Sequence, residues 1–562
     1  TLEQFFPLAI QIARILGEIH AAQIIHKDIN PGNIVFNPVT GIVKIIDFSI
    51  ATQLNRETPV LKSPSVLEGT LAYLSPEQTG RMNRSLDYRS DFYSLGATFY
   101  ELLTGQPPFI TQDALELVHC HLAIQPTPPD QINASIPPAL SHIVIKLLAK
   151  NAEDRYQSVL GLIHDLERCC QQWEATREIT LFELGEQERC DRFIIPEKLY
   201  GRETEVQTLL TAFERVSGNT CNQPKSKIQN PKSELVLVSG FSGIGKTAVV
   251  REVHKPITRQ KGYFIQGKFD QFNRNLPFSA FVQAFRSLMG QLLGESDQAL
   301  ARWKVKILEA VGNNGQVLID VIPKLERIIG PQSPVPDLAG SAAQNRFNLL
   351  FSQFIRVFTT QDHPLVIFLD DLQWVDSASL NLLKLLMNEV ETGYLLVLGA
   401  YRDNEVFPAH PLMLSLAELE KQQAVISTIT LAPLAVDQIN QLVADTLSCD
   451  EVIVQPLTEL VYQKTKGNPF FTIQFLKGLY EDELISFNFD REYWECDLVR
   501  VQDASLTDDV VEFMAGRLQK LPIPTQKVLE LAACIGNQFD LETLAVVCNK
   551  SEAEVAADIW GA

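Results

Sequence analysis

Apolar residues recur at helical spacing at the start of the chain. Leu8, Ile12, Ile15, Leu16 and Ile19 share one face and predict an amphipathic helix. Two short apolar runs follow, Ile34-Val35-Phe36 and Val43 to Ile46. The turn formers Asn37-Pro38 and Gly41 separate them, which predicts a pair of strands. Past Ser75-Pro76-Glu77 the pattern turns helical, as at Tyr93 to Leu103 and Leu140 to Leu148. Residues 176–198 carry no clear period. Ser217 to Ser233 is polar, rich in Asn, Lys, Pro, Gln and Ser, and reads as a flexible loop or insertion. Apolar runs at Leu235 to Val238, Leu365 to Leu369 and Leu395 to Gly399 then predict strands of an α/β section reaching about residue 430. From there to the end the pattern predicts helices almost throughout, and there is no convincing internal repeat.

Composition narrows the class of protein. A chain of 562 residues has room for roughly three or four domains of ordinary size. Hydrophobic residues make up 46%, enough for real cores. The formal net charge of −20 argues against general nucleic-acid binding, because phosphate backbones attract basic surfaces. The nine cysteines are scattered without a CxxC pair or a His/Cys metal spacing, which points to a reducing compartment. No apolar run approaches the length that spans a bilayer, and the first residues lack signal-peptide architecture. The cytoplasm is the expected location.

Two groups of residues carry phosphate chemistry. The first is His26-Lys27-Asp28-Ile29-Asn30-Pro31-Gly32-Asn33, followed by Asp47-Phe48-Ser49. Downstream, in order, come Gly69-Thr70 to Pro76-Glu77, Asp91-Phe92-Tyr93-Ser94-Leu95-Gly96, and Arg155 within Glu153-Asp154-Arg155-Tyr156. Together these blocks resemble the C-terminal lobe of eukaryotic-type Ser/Thr protein kinases. The resemblance implies that Asp28 accepts the proton of a substrate hydroxyl and that Asn33 and Asp47 hold metal ions. It also implies that Thr70 bonds the catalytic Asp and that Arg155 is the buried partner of Glu77. Ser63 and Ser65, on the Pro-containing part of the activation segment, are the expected phosphosites.

This segment also departs from the family. Lys27 stands in place of Arg, which weakens bidentate capture of a phosphorylated loop. Asn30 occupies the position of a phosphate-touching Lys, and Ser49 replaces a Gly that gives the backbone freedom. No Gly-rich loop, β3 Lys or αC Glu precedes residue 26. The expectation is therefore a piece of a longer kinase, inactive as a kinase by itself. The alternative is a kinase-like scaffold without that lobe.

The second group is Gly240-Phe241-Ser242-Gly243-Ile244-Gly245-Lys246-Thr247, which follows an apolar strand and precedes a helical stretch. In this context a Gly-rich turn forms an anion nest of backbone N–H groups at a helix N-terminus. Gly240, Gly243 and Gly245 build that turn, Lys246 reaches the β- and γ-phosphates, and the Thr247 hydroxyl ligates Mg²⁺. Leu365 to Leu369 ends in Asp370-Asp371, as a Walker B strand should. In that arrangement Asp370 is expected to hold Mg²⁺ through water, and Asp371 to orient the attacking water.

Residues 199 to about 480 resemble the STAND class of AAA-related signalling ATPases. The resemblance rests on Tyr200-Gly201-Arg202-Glu203, Asp370 to Asp376, Ala400-Tyr401-Arg402-Asp403 and Gly467-Asn468-Pro469-Phe470. It implies that Gly201 and Arg202 approach the adenine, that Arg402 sits near the γ-phosphate, and that Pro469 of a helical lid packs near the base. The order of kinase lobe then ATPase, with Gly267-Lys268-Phe269-Asp270-Gln271-Phe272 after the second strand of the latter, resembles large bacterial hybrid kinases. Such proteins carry a GAF sensor and often a histidine kinase further on.

The expected fold is multidomain: a mostly helical α+β kinase-like C-lobe over 1–175, then a linker over 176–198. An α/β P-loop NTPase with a parallel sheet follows over 199–425, a helical lid over 426–504, and a helical or winged-helix-like segment over 505–562. ATP and Mg²⁺ are the implied cofactors. The implied partners are a protein Ser/Thr substrate and sensor or histidine kinase modules in cis, with no nucleic acid and no membrane span. A pseudokinase scaffold with an ATP switch is one alternative, and a STAND-type transcription regulator is another. Against the latter, Asp508, Asp509, Glu512, Glu530, Asp540, Glu542, Glu552, Glu554 and Asp558 outnumber Arg517, Lys520, Lys527 and Lys550 near the C-terminus.

Overall fold

A computed structural model describes the chain except residues 54–68, 81–84, 112–113, 187–192, 219–232, 260–261, 272–275, 294–296, 337–340, 362, 389–392, 489–490, 492, 504–514, 517, 536–539 and 560–562. Ser63, Ser65, most of the polar stretch, Phe272, Asp508, Asp509, Glu512 and Arg517 lie outside the described residues.

The first helix, Leu2–Ala21, buries Phe5, Phe6, Ala9, Ile12, Ala13 and Leu16, so its apolar stripe faces the core. It packs against the helix Val159–Thr176. Between them lie a short antiparallel pair, β1 (Ile34–Phe36) and β2 (Val43–Ile45), and the helix Arg89–Thr104. That helix is buried along its first three turns, from Arg89 to Tyr100. Gly96 lets it approach the helix Pro138–Leu147, since a Cβ there would lie 2.7 Å from the Leu147 Cβ.

A five-stranded sheet forms the second core. Its strands are β3 (Glu234–Ser239), β4 (Tyr263–Lys268), β5 (Leu365–Asp370), β6 (Leu395–Tyr401) and β7 (Val425–Thr430). They are all parallel, in the order β4-β5-β6-β3-β7. β3, β5 and β6 are buried almost throughout, which is why they read as unbroken apolar runs. Parallel strands bring their C-terminal ends to one edge, and ligands of such sheets bind there. The sheet runs beyond the expected limit at 425, because β7 pairs with β3 from Glu234↔Val425 to Ser239↔Thr430. As an edge strand it is largely exposed, and Ser427, Thr428 and Thr430 break its apolar signal.

Beyond the sheet stand the helices Val436–Leu447, Glu451–Thr465 and Pro469–Glu481. The expectation of helices alone after this point is corrected by an antiparallel hairpin, β8 (Ile485–Asn488) with β9 (Tyr493–Cys496). Each strand is only four residues long, too short for alternation to show. Trp494 anchors the hairpin by ring contacts with Phe193, Tyr480 and Phe487. Phe193 belongs to the stretch expected to be a bare linker. Among its described residues, Ile179, Phe182, Leu184 and Ile194 lie on the first core, and Ile195 joins the lid core. The last helices, Ile523–Ile535, Leu541–Cys548 and Glu552–Ile559, gather around Val528, Leu544 and Val555. Among the described residues no strand follows β9, so the wing of a winged helix is not seen. No described helix is long and apolar enough to cross a membrane.

Candidate nucleotide and phosphoryl-transfer sites

The loop after the first helix is organised by its own side chains. The Asn33 amide donates to the Asp28 carboxylate and to the Asp28 carbonyl, both at 2.9 Å. The other Asp28 oxygen accepts the Thr70 backbone N–H at 2.8 Å. Thr70 thus reaches the acid through its main chain, while its hydroxyl accepts from the Asn30 amide at 3.2 Å. The Asn30 oxygen accepts from Gly32 and Asn33 N–H groups, which closes the turn. This residue, read from sequence only as a missing lysine, is the brace of the loop.

Asp47 is exposed in a left-handed conformation with φ +64°. Side-chain and backbone hydrogen bonds from Ser49 hold its carboxyl below the usual range. The backbone ties its turn to the loop, with Ile46 N–H on Asn33 O at 2.9 Å. His26 adds an Nε2 contact to Ile46 O at 3.1 Å and an edge-to-face contact with Phe48. Asp28 and Asn33 therefore touch directly, and Asp47 joins them through main chain and rings.

Asp91 lies beneath this loop, and sequence reading marked it only as a helix start. Its carboxylate accepts Lys27 N–H at 2.8 Å, His26 N–H at 2.9 Å and His20 Nε2 at 2.9 Å. An aspartate in the first turn of a buried helix was the available signal. Glu77 and Arg155 meet in two hydrogen bonds, and Gln78 donates to Lys27 O at 2.7 Å, so the segment after residue 69 is fastened to the same loop.

The second site gathers at the C-terminal edge of the sheet. The turn after β3 has positive φ at Gly240 (+149°), Gly243 (+75°) and Gly245 (+98°), the last immediately before the helix Lys246–Arg251. One cleft of about 890 Å³ is lined by Arg202, Gly243, Gly245, Lys246, Thr247, Asp370, Asp371, Arg402 and Pro469. Gly201 and Gly240 do not line this cleft, and each is closely packed. A Cβ on Gly201 would lie 1.9 Å from the Gln438 amide, and one on Gly240 would lie 3.0 Å from Leu431 O.

Lys246 folds back on its own loop and donates to Gly240 O at 2.7 Å and Phe241 O at 2.8 Å. Burial lowers its pKa, with Asp370 acting in the opposite sense. Burial, then the neighbouring Asp371, pushes the Asp370 carboxyl up. Asp371, at φ +55°, accepts from Gln373 Nε2 at 2.8 Å and pairs with Lys268 at 3.0 Å and Arg402 at 3.6 Å. Arg402 also pairs with Glu405 at 2.8 Å and lies over Trp374. Arg202 is buried and donates to Ala432 O at 2.6 Å. Pro469 opens the helix Pro469–Glu481, whose first turn bears on the phosphate loop: Phe470 N–H donates to Gly243 O at 3.2 Å, and Asn468 to Ser242 O at 2.9 Å.

Sequence reading gave no role to Lys268 or Gln373. Their signal was a charged residue ending an apolar strand and an amide two residues past the paired acids.

The donor set suits a nucleotide with Mg²⁺. Backbone amides and Lys246 match phosphate, while Thr247 and Asp370 offer the few protein ligands that Mg²⁺ takes alongside water and phosphate oxygens.

Comparison with known proteins identifies the two domains in which these residues lie. Residues 3–166 match the protein kinase domain family, and residues 198–398 match the AAA ATPase domain family. The chain therefore carries a protein kinase domain and an AAA ATPase domain. It is similar to the hybrid signal transduction histidine kinase G of Dictyostelium discoideum, at 35% identity over 86% of this chain and 16% of that protein. The serine/threonine-protein kinase PknB of Mycobacterium leprae is 40% identical over 30% of this chain and 26% of its own length. The peroxide stress-activated histidine kinase mak3 of Schizosaccharomyces pombe is 20% identical over 98% of this chain, which spans 26% of that protein. The chain thus covers about a sixth to a quarter of the length of these relatives.

Proposed function

We propose that the chain is part of a cytoplasmic signalling kinase in which a STAND-type ATPase switch adjoins a Ser/Thr kinase lobe. The observation that carries this reading is the single cleft joining Lys246, Thr247, Asp370, Asp371, Arg402 and the lid residue Pro469. The lid's contact with the phosphate loop, Phe470 N–H on Gly243 O, offers a route by which nucleotide state reaches the helices beyond. Kinship with hybrid histidine kinases supports further signalling modules in cis in the intact protein.

ATP with Mg²⁺ supplies the transferable phosphoryl group. Lys246 neutralises phosphate charge on leaving the Gly240 and Phe241 carbonyls, and Thr247 and Asp370 hold the metal. Gln373 fixes the Asp371 carboxylate, which orients water, and Arg402 takes developing charge. In the kinase lobe Asp28, oriented by Asn33 and Thr70, accepts the hydroxyl proton of a protein Ser or Thr, while Asn33 and Asp47 hold metal. Arg202 and Pro469 frame the base.

Single-turnover hydrolysis with Asp371→Asn and Asp370→Asn tests these roles. Asp371→Asn should keep nucleotide affinity and stall hydrolysis, whereas Asp370→Asn should weaken the Mg²⁺ dependence of binding. Loss of binding in the former with normal hydrolysis in the latter contradicts the assignment.

A second reading, a kinase-like scaffold, is favoured by Asn30, whose amide is spent on Asp28 O and Thr70 Oγ1 where the kinase resemblance implies a lysine. Equal phosphotransfer by the intact kinase and its Asp28→Asn variant would support it.

A further inference from the structure

The ends of β4, β5 and β6, with the helix after β3, set three cations against two carboxylates. Lys246, Lys268 and Arg402 face Asp370 and Asp371 in the one cleft. Lys268 is the last residue of β4, paired in register with Asp370 of β5. Its backbone is fixed, with the N–H donating to the Gln283 side chain at 2.8 Å, while its side chain is 38% exposed to the cleft. The Nζ lies 3.0 Å from one Asp371 oxygen, and Gln373 holds the other oxygen at 2.8 Å. Arg402 is committed elsewhere, to Glu405 and the Trp374 ring, and stands further from Asp371, at 3.6 Å.

We propose that Lys268 is the residue that tells a nucleoside triphosphate from a diphosphate. It covers Asp371 in the nucleotide-free cleft and moves to the terminal phosphoryl group of a bound triphosphate. This rests on the ATPase reading above. A lysine ammonium is a point charge on a flexible stem, so it can exchange a carboxylate for a phosphoryl oxygen without moving the backbone. A diphosphate does not offer that oxygen, and the Lys268–Asp371 pair then persists. Because Gln373 keeps its hold on Asp371, departure of Lys268 uncovers the carboxylate without displacing it. The acid is thereby freed to accept a hydrogen bond from water when a triphosphate is present.

The test compares MgATP and MgADP titrations of the full chain as wild type, Lys268→Met and Lys268→Arg. Amine-reactive labelling of Lys268, read by mass spectrometry, accompanies them. Lys268→Met should lose about tenfold or more in ATP affinity and less than about threefold for ADP, the difference of one charge-assisted contact. Lys268→Arg should keep most of the preference for ATP, which separates the charge from any effect on folding. In wild type, ATP and ADP should leave Lys268 with different labelling rates. Equal weakening of both nucleotides in Lys268→Met, or no change in either, overturns the assignment and leaves the ATPase reading standing. A wild type that binds neither nucleotide overturns both.

Discussion

Arg155 and Glu77 meet in two hydrogen bonds, 2.6 Å and 2.9 Å, inside the kinase domain, with the guanidinium wholly shielded from solvent. Arg155 Nη1 also donates to Arg89 O, and Ser90 Oγ donates to Glu77 at 2.7 Å. Burial alone would raise the Glu77 pKa. The Arg155 charge and these hydrogen bonds outweigh burial and hold it below the ordinary 4.5. The pair joins the segment ending at Glu77 to the far side of the domain, and Gln78 carries that connection to Lys27.

Removing Arg155 leaves a buried carboxylate without its partner. Arg155→Met should therefore cost about 3–5 kcal/mol at neutral pH. In wild type the Glu77 contribution is fully present above pH 4.5 and is lost as pH falls through the lower folded value. In Arg155→Met the unpaired Glu77 titrates above its unfolded value, so the deficit should shrink on acidification. Urea unfolding of both proteins across a pH series measures this, and parallel curves contradict it.

Lys150 is a second buried group with a pH signature. Burial, then the nearby Arg155 charge, lowers its pKa from 10.5 to about 7. It donates to Cys120 O at 3.1 Å and lies over the Phe109 ring. The unfolded chain binds the extra proton between those two values, so stability should rise with pH from about 7 to 10.5. Lys150→Met should flatten that rise, as read by thermal unfolding midpoints. An unchanged slope counts against a neutralised Lys150.

The lid and the phosphate loop should act as one unit. Gly243 has φ +75°, and a Cβ there would lie 2.9 Å from the Phe470 Cβ and 3.0 Å from Asn468 Oδ1. Gly243→Ala should force the lid off the loop and weaken MgATP by about tenfold or more, with a smaller change in global stability. Asn468→Ala removes the bond to Ser242 O and the cap on Phe471 N–H without adding a clash, and should show the same direction at lower magnitude. Calorimetric titration of the two variants distinguishes them; wild-type affinity in Gly243→Ala rules out the coupling.

Residues close in sequence or set by a strand edge were legible before the structure. The turn glycines, Lys246, Asp370 and Asp371 follow from an apolar strand that stops at a charged edge, and Asp28 and Asn33 stand in one short loop. Contacts between distant segments were not legible. A charge at a helix start or a strand end singles out Asp91 and Lys268, but nothing local names their partners, His20, His26 and Lys27 for the one and Asp371, just past the neighbouring strand, for the other. β7 and the β8–β9 hairpin escaped notice because exposed or very short strands lack a periodic apolar signal. The described residues flanking 187–192 pack through isolated apolar side chains, Ile179, Phe182, Leu184 and Ile194, with no period to reveal them.

The central claim, that the sheet-edge cleft binds Mg-nucleotide through the loop after β3, is tested most directly by calorimetric titration of MgATP into wild type and Lys246→Ala. Lys246 now spends its charge on the Gly240 and Phe241 carbonyls and is available to phosphate. Loss of that charge-assisted contact, about 2–3 kcal/mol, should weaken binding tens- to hundreds-fold. Equal affinity in the two proteins would contradict the account.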